Sequence, residues 1–174
     1  MKNKMHLGAV IGLVAATSLA GCNAPSPATP AVDTAKDVAA VNALEDQALA
    51  ADNAHQYDKF SALYASDGAK FFPNAAPAKG PEAIGKSFAP FASDKAYNFK
   101  LTMDRVEVAK SGEVAYALWR YDQTSTDPKT HAVVHELGNG MDTLRKGPDG
   151  TWKFVDSMNT PSAPTPAAAL AKKG

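Results

Sequence analysis

The chain has 174 residues, a length that suits one domain with tails. A hydrophobic content of 45% is enough for a core and argues against global disorder, while eighteen basic residues against eighteen acidic ones leave no basic stripe for a nucleic acid. The single cysteine, Cys22, excludes an internal disulfide and a cysteine-based zinc site.

Residues 1–21 have the layout of a signal peptide. Lys2 and Lys4 form a charged start, and Leu7 to Ala20 is an apolar run too short to span a bilayer comfortably. The run ends in Leu19-Ala20-Gly21-Cys22, which resembles the bacterial lipobox. That resemblance implies cleavage before Cys22 and acylation of its thiol, hence a membrane contact through a lipid anchor. Asn23, where an aspartate would signal retention, implies by likeness to enterobacterial lipoproteins the outer membrane, facing the periplasm. An ordinary cleaved signal with a chance cysteine is the alternative. Removing the leader takes away Lys2 and Lys4 and leaves sixteen bases against eighteen acids. Residues 22–32 carry Pro25, Pro27 and Pro30 and read as an extended tether. Residues 33–160 are expected to fold, and residues 161–174, with Pro161, Pro164 and Pro166, to form a disordered tail.

Helices come first in the folded part. Thr34-x-x-Asp37 has the form of a capping box, and Val38, Val41, Leu44, Ala48 and Ala51 follow at helical spacing. Asn53-x-x-Gln56 has the same form before a short helix with Tyr57, Phe60, Leu63 and Tyr64 on its buried stripe. Ala69 to Pro73 is a short apolar run ending at a proline, so an edge or terminal strand. Gly80-Pro81 starts a third helix whose inner face is Ile84, Phe88 and Phe91.

Strands follow. From Tyr97 to Ala109 the apolar phase switches between Phe99-Leu101-Met103 and Val106-Val108, which predicts a bulge near Asp104 and Arg105. Ser111-Gly112-Glu113 is a turn, Val114 to Thr124 a strand, and His131 to Lys146 a long strand that Gly138 and Gly140 should kink or bulge. Pro148-Asp149-Gly150 closes a hairpin onto a last strand, in which Trp152, Phe154, Asp156 and Met158 alternate with Lys153, Val155, Ser157 and Asn159. Helices first and antiparallel strands after indicate an α+β fold with helices on one face of a bent sheet.

Phe60-x-x-Leu63-Tyr64, Phe72-Pro73-Asn74, Gly80-x-x-Ala83-Ile84, Ser111-Gly112-Glu113-Val114-Ala115-Tyr116, Asp149-Gly150-Thr151-Trp152-Lys153, and Asp156 followed by Asn159 stand in an order that resembles the SnoaL-like, ketosteroid-isomerase-like branch of the nuclear transport factor 2-like superfamily. The resemblance covers about Val41 to Thr160. It implies a cone-shaped, curved antiparallel sheet packed against about three helices, with a deep pocket between them. Family members include enzymes as well as binding and assembly modules, so the fold leaves the function open. The isomerase's base aspartate precedes the proline ending the first strand, and Phe72 stands in that position here. Its oxyanion tyrosine falls, counted back from Tyr64, on Ala48. Both positions are apolar, so ketosteroid isomerase activity is not expected.

The remaining pocket chemistry centres on the hairpin. A Pro-Asp-Gly loop pairs Gly147 with Thr151, and counting outward sets Leu144 opposite Phe154 and Asp142 opposite Asp156. Two carboxylates on one apolar face must share a proton or a cation, as in an acid/base pair. Alternatively a bulge near Gly140 or a one-residue slip turns Asp142 to solvent. Asp156 and Asp142 are thus the candidate catalytic residues. Tyr64, Trp119, Tyr121, Trp152, Phe154 and Met158 are the candidate ligand contacts, although both tyrosines also suit core positions. Trp119 narrows the pocket if it faces inward and marks a homodimer surface if it faces outward. His131 and His135 lie four apart on one strand, about 13 Å from each other, too far for one metal ion. His55 falls at a helix start, where solvation is the plain reading. No metal or cofactor is expected. Three functions stay open: a binding module for an unidentified small, partly apolar molecule; a small acid/base isomerase, cyclase or hydrolase; and a structural dimer with a vestigial pocket.

Overall fold

The computed structural model describes residues 33–162. Residues 1–32, with the expected leader, Cys22 and tether, and residues 163–174 of the expected tail lie outside that range.

Helix α1 runs over Thr34–Asn53. It is capped by Asp33, whose side chain accepts from the Lys36 N–H at 3.1 Å, and not by Thr34 as the capping-box pattern suggested. Its buried positions, Asp37, Val41, Leu44, Glu45, Ala48, Ala51 and Asp52, recur every three or four residues and so form one face. Three of these seven positions are acids, which is unusual for a core-facing stripe. The first acid is answered structurally. Asp37 forms an ion pair with Lys146 and accepts from the Trp152 indole N–H at 3.3 Å, and the Lys146 ammonium lies 5.2 Å from the Trp152 ring centre. The Lys146 bond to Asp37 holds its carboxyl below the usual range. At the other end Asn53 bonds the Phe99 backbone twice, through N–H and C=O, each at 2.7 Å. This use of Asn53 replaces the second capping box; α2, Tyr57–Ser61, begins after Gln56 without a side-chain cap.

Strand β1 spans Tyr64–Phe71, β2 Ala78–Lys79, and α3 Gly80–Ser87, with a single 3-10 turn at Ala89–Phe91. The long strands follow: β3 Asn98–Val108, β4 Val114–Thr126, β5 Val133–Lys146 and β6 Trp152–Pro161. The sheet order is β2-β1-β6-β5-β4-β3, open and curved, with β1 and β6 parallel and the other neighbours antiparallel. The fold is α+β, with Val41 and Leu44 of α1, Ile84 of α3 and Phe88 just after it, and Ala117, Leu144 and Phe154 of the sheet in one buried core.

Three backbone features shape the sheet. Asp104 is the extra residue of the expected β3 bulge, since Met103 faces Trp119 while Arg105 already faces Leu118. Arg120 fixes it from outside with two nitrogens on the Asp104 carboxylate at 2.8–3.0 Å. A second bulge, which the alternation did not reveal, falls at Val155: Leu144 faces Phe154, but Thr143 already faces Asp156. The expected interruption at Gly138 and Gly140, by contrast, does not occur. The β4–β5 register is unbroken there, with Tyr121 opposite Gly138 and Trp119 opposite Gly140. These glycines serve the aromatic rings: a Cβ at 138 would lie 2.2 Å from the Tyr121 ring, and one at 140 would lie 2.1 Å from the Trp119 ring.

Gly140→Ala should therefore destabilise the domain by about 1–3 kcal/mol, the usual cost of overpacking. Urea unfolding measures this, and Trp119→Leu in the same chain should recover part of the loss in a double-mutant cycle. A Gly140→Ala midpoint equal to wild type would show that Trp119 does not lie against position 140.

Candidate functional site

The concave face of the sheet and the acid-bearing face of α1 enclose a cavity of about 420 Å³. Its walls are aromatic: Phe60, Phe72, Phe88 and Phe91 on one side, Phe99 and Trp119 on the other. The inner end is polar. Glu45 from α1, Lys70 from β1, Asp142 from β5 and Ser157 from β6 are all buried there, between 2% and 7% exposed. Trp119 donates its indole N–H to Asp142 Oδ2 at 2.6 Å. Lys70 Nζ donates to Ser157 Oγ at 3.1 Å, and its ammonium sits 5.5–5.9 Å from the ring centres of Phe60, Phe72 and Phe88. Ser157 stands directly opposite Asp142 on the neighbouring strand, so the Lys70 contact and the Asp142 carboxyl meet at one place in the sheet.

Burial of two carboxyls side by side decides their protonation. Glu45 Oε1 and Asp142 Oδ1 receive no hydrogen bond from another donor, yet the two side chains interact with each other. A proton on Glu45 resolves this, since a neutral carboxylic acid can donate to its neighbour. Burial first, and the Asp142 charge second, push the Glu45 carboxyl up to about 10. Asp142 is also raised by burial, but Lys70, Ser157 and Trp119 pull it back. Both carboxyls are therefore displaced upward, and Glu45 keeps its proton at neutral pH. Burial lowers the Lys70 ammonium, against the stabilising charge of Asp142. Burial also pushes the Tyr64 hydroxyl well above its ordinary value.

Two turns along α1 from Glu45, Asp52 accepts from the Tyr97 hydroxyl at 2.9 Å through Oδ2, while its buried Oδ1 has no partner. Burial lifts its carboxyl to about 6, despite the opposing Tyr97 bond and the Lys70 charge. The cavity thus offers a proton donor, two acceptors and an amine within an apolar shell.

The sequence-derived residues divide. Asp142, Tyr64, Trp119 and Phe154 line the cavity. Trp119 is 4% exposed and faces inward, so it narrows the pocket and does not mark an outer dimer surface. Asp156 is the main correction. The Val155 bulge carries it off the inner face, so that it faces Thr143 in half-buried surroundings while Ser157 takes the place opposite Asp142. The Asp142–Asp156 pairing is absent for that reason, and Glu45 is the acid beside Asp142. Met158 is shifted by the same bulge to the outer face and is 43% exposed. Tyr121 is buried behind the wall, stacked on Phe99 at 5.2 Å and donating to Glu136 Oε1 at 2.7 Å. Trp152 belongs to the Asp37–Lys146 cluster outside the cavity. His135 bonds Asp122 at 2.5 Å on the exposed sheet, apart from His131, and His55 bonds the Tyr57 hydroxyl at 3.0 Å. Glu45, Asp52, Lys70 and Ser157 were missed. A signal existed for three of them: Glu45 and Asp52 interrupt the apolar stripe of α1, and Lys70 interrupts an apolar strand.

An open, curved sheet with helices over its concave side is the architecture of nuclear transport factor 2-like proteins. Within that class residues 41–158 match the SnoaL-like domain, and the chain belongs to that family. A ketosteroid isomerase-like protein from Erwinia carotovora atroseptica is 20% identical, with a TM-score of 0.65 over 74% of this chain and 98% of that one. A nuclear transport factor 2-like superfamily protein from Salmonella enterica is 14% identical, with a TM-score of 0.62 over 80% and 98%. A Catenulispora acidiphila protein in complex with S-DNPA is 16% identical, with a TM-score of 0.59 over 73% and 94%. At these identities the likeness is one of fold. None of the curated proteins matches the chain.

Asp52 gives the site a measurable pH signature. Its folded value, about 6, lies above the ordinary 3.8, so the stability it contributes is full below pH 3.8 and is lost as pH rises through 6. Asp52→Asn keeps an acceptor for Tyr97 but cannot ionise. Its stability relative to wild type should rise by about 3 kcal/mol between pH 3.8 and pH 6, measured by urea unfolding across that window. A constant difference would show that Asp52 ionises freely in the folded protein.

Proposed function

We propose that the domain is a binding module for a small, partly apolar molecule held in the cavity between α1 and the sheet. The observation that carries this reading is the cavity of about 420 Å³ itself, walled by Phe60, Phe72, Phe88, Phe91, Phe99 and Trp119 with Glu45, Asp52, Lys70 and Asp142 among its lining. A concave, largely apolar site with a few polar groups is the usual form of a small-molecule pocket. The Catenulispora protein, whose structure is in complex with S-DNPA, supports the reading as a protein of this fold with a bound partner. Trp119 in the wall is a built-in reporter. With Trp152 replaced by Phe, 2-naphthylmethanol should quench Trp119 saturably, with half-effect near or below 1 mM, roughly −4 kcal/mol. Linear quenching, equal in the urea-unfolded chain, would count against the cavity.

A second reading, a small acid/base enzyme, is favoured by the two buried carboxyls of Glu45 and Asp142 in one wall, of which Glu45 holds a proton at neutral pH and can donate it. In that reading Glu45 takes the role that the sequence had given to Asp156. Ala48 and Phe72, both in the cavity lining, offer no isomerase base or oxyanion donor.

The address is part of the proposal. The Lys2, Lys4, apolar run and Leu19-Ala20-Gly21-Cys22 pattern supports cleavage before Cys22 and a lipid anchor, with Asn23 favouring the outer membrane. Each buried acyl methylene contributes about 0.8 kcal/mol, so two or more chains hold stably. Cys22→Ser should move the domain from the membrane fraction to the soluble one or block processing; unchanged fractionation with normal cleavage would sink the anchor.

A further inference from the structure

Lys70 is the group that binding alone does not explain. A lysine is rarely buried without a carboxylate partner, because the ammonium is expensive to desolvate. Lys70 is 7% exposed, and among the described residues it forms no ion pair and donates one hydrogen bond, to Ser157. Its amine projects between the Phe60, Phe72 and Phe88 rings at the inner end of the cavity. Burial makes an amine more easily deprotonated and then nucleophilic, against the opposing pull of Asp142, Asp52 and Glu45. Around it stand Ser157, which accepts its hydrogen bond, Asp142, directly opposite Ser157 on the neighbouring strand, and Glu45 in the same wall.

We propose that Lys70 captures an aldehyde or ketone bound in the cavity as an imine on its side-chain nitrogen. This rests on the reading that the cavity admits a small organic molecule. Asp142 takes one proton from the ammonium through Ser157. The freed nitrogen pair attacks the carbonyl carbon, the C–N bond forms, and the C=O pair moves to oxygen, which takes a second proton from nitrogen. Glu45 then gives its proton to the resulting hydroxyl and recovers one from Asp142. The C–O bond breaks, water leaves, and the nitrogen pair closes the C=N bond. In sum, ammonium and carbonyl give iminium and water, with both carboxyls returned to their starting states. No oxidant or further reactant is needed.

The test is reductive trapping of the folded domain with 2-naphthaldehyde and cyanoborohydride at neutral pH, read by intact mass and peptide mapping. One naphthylmethyl adduct is expected, on Lys70, while exposed lysines label at least ten times more slowly. Lys70→Arg should lose it. Glu45→Gln should slow it by about 100-fold, the scale of general acid catalysis. No adduct on Lys70, or equal labelling across surface lysines, overturns the proposal. Peptide mapping of wild type decides the site even where Lys70→Arg fails to fold. Trp119 quenching by 2-naphthylmethanol separates the two readings: quenching without an adduct removes the imine and keeps the binding pocket, whereas neither signal removes both.

Discussion

The bond from the Trp119 indole to Asp142, 2.6 Å long and buried, is the contact on which the site depends. It has a backbone condition, because the ring lies against residue 140 and any Cβ there would collide with it. Gly140 lets the tryptophan lie down on the sheet, and the tryptophan in turn gives a buried carboxylate one of its donors. Hydrogen bonds to charged groups contribute about 1.5–3 kcal/mol, less than the desolvation of an isolated carboxylate. Asp142 therefore needs Ser157 and the Lys70 charge as well. Burial and the adjoining Asp142 carboxyl keep Glu45, on the facing helix, protonated at neutral pH. One glycine, Gly140, thus leads through the Trp119 ring to a buried carboxyl that bears on a residue of another element.

The polar floor weakens the middle of α1, and the ends of that helix offset the weakness. At the start, Asp37 is tied to Lys146 and Trp152, and at the finish Asn53 bonds both polar groups of the Phe99 backbone. These clamps join the helix to the β5–β6 hairpin and to β3. Between them Glu45 and Asp52 face the cavity without full partners. A helix held at both ends can tolerate under-satisfied polar groups in its middle at a cost in stability, an arrangement that functional sites commonly share.

Much of the fold was legible in the sequence. The Pro148-Asp149-Gly150 loop closes as its residue types require, with the Gly147 N–H on the Thr151 carbonyl at 2.7 Å and Gly150 at φ 82°. The phase switch at Asp104 and Arg105 marked a real bulge, because apolar residues there change from odd to even positions. The site was less legible, for one reason. The Val155 bulge leaves no such trace: Trp152, Phe154, Asp156 and Met158 alternate without interruption, while the backbone slips by one residue between Phe154 and Asp156. A side-chain pattern fixes a face only while the ladder is regular, and one extra residue exchanges the faces beyond it. Asp156 and Met158 were placed inside for that reason, and Ser157 outside. Gly138 and Gly140 were misread differently. Glycine in a strand marks either a bent backbone or the close approach of another group, and here it is the rings of β4.

The positions that matter in the isomerase comparison explain how a shared fold carries different chemistry. Ala48 and Phe72 both line this cavity, and neither side chain can donate or accept a proton. The same elements carry polar groups beside these positions. On α1 they lie at Glu45 and Asp52, three before and four after Ala48, which is the same helix face. On β1 Lys70 lies two residues before Phe72, again on the same side. Helix and strand periodicity thus set polar residues on the faces that Ala48 and Phe72 occupy, without any change of backbone. The fold supplies a helix face set against a concave sheet, and single residues on the permitted positions decide its chemical character: in this chain they set an amine and three buried acids in a wall shared with aromatic rings.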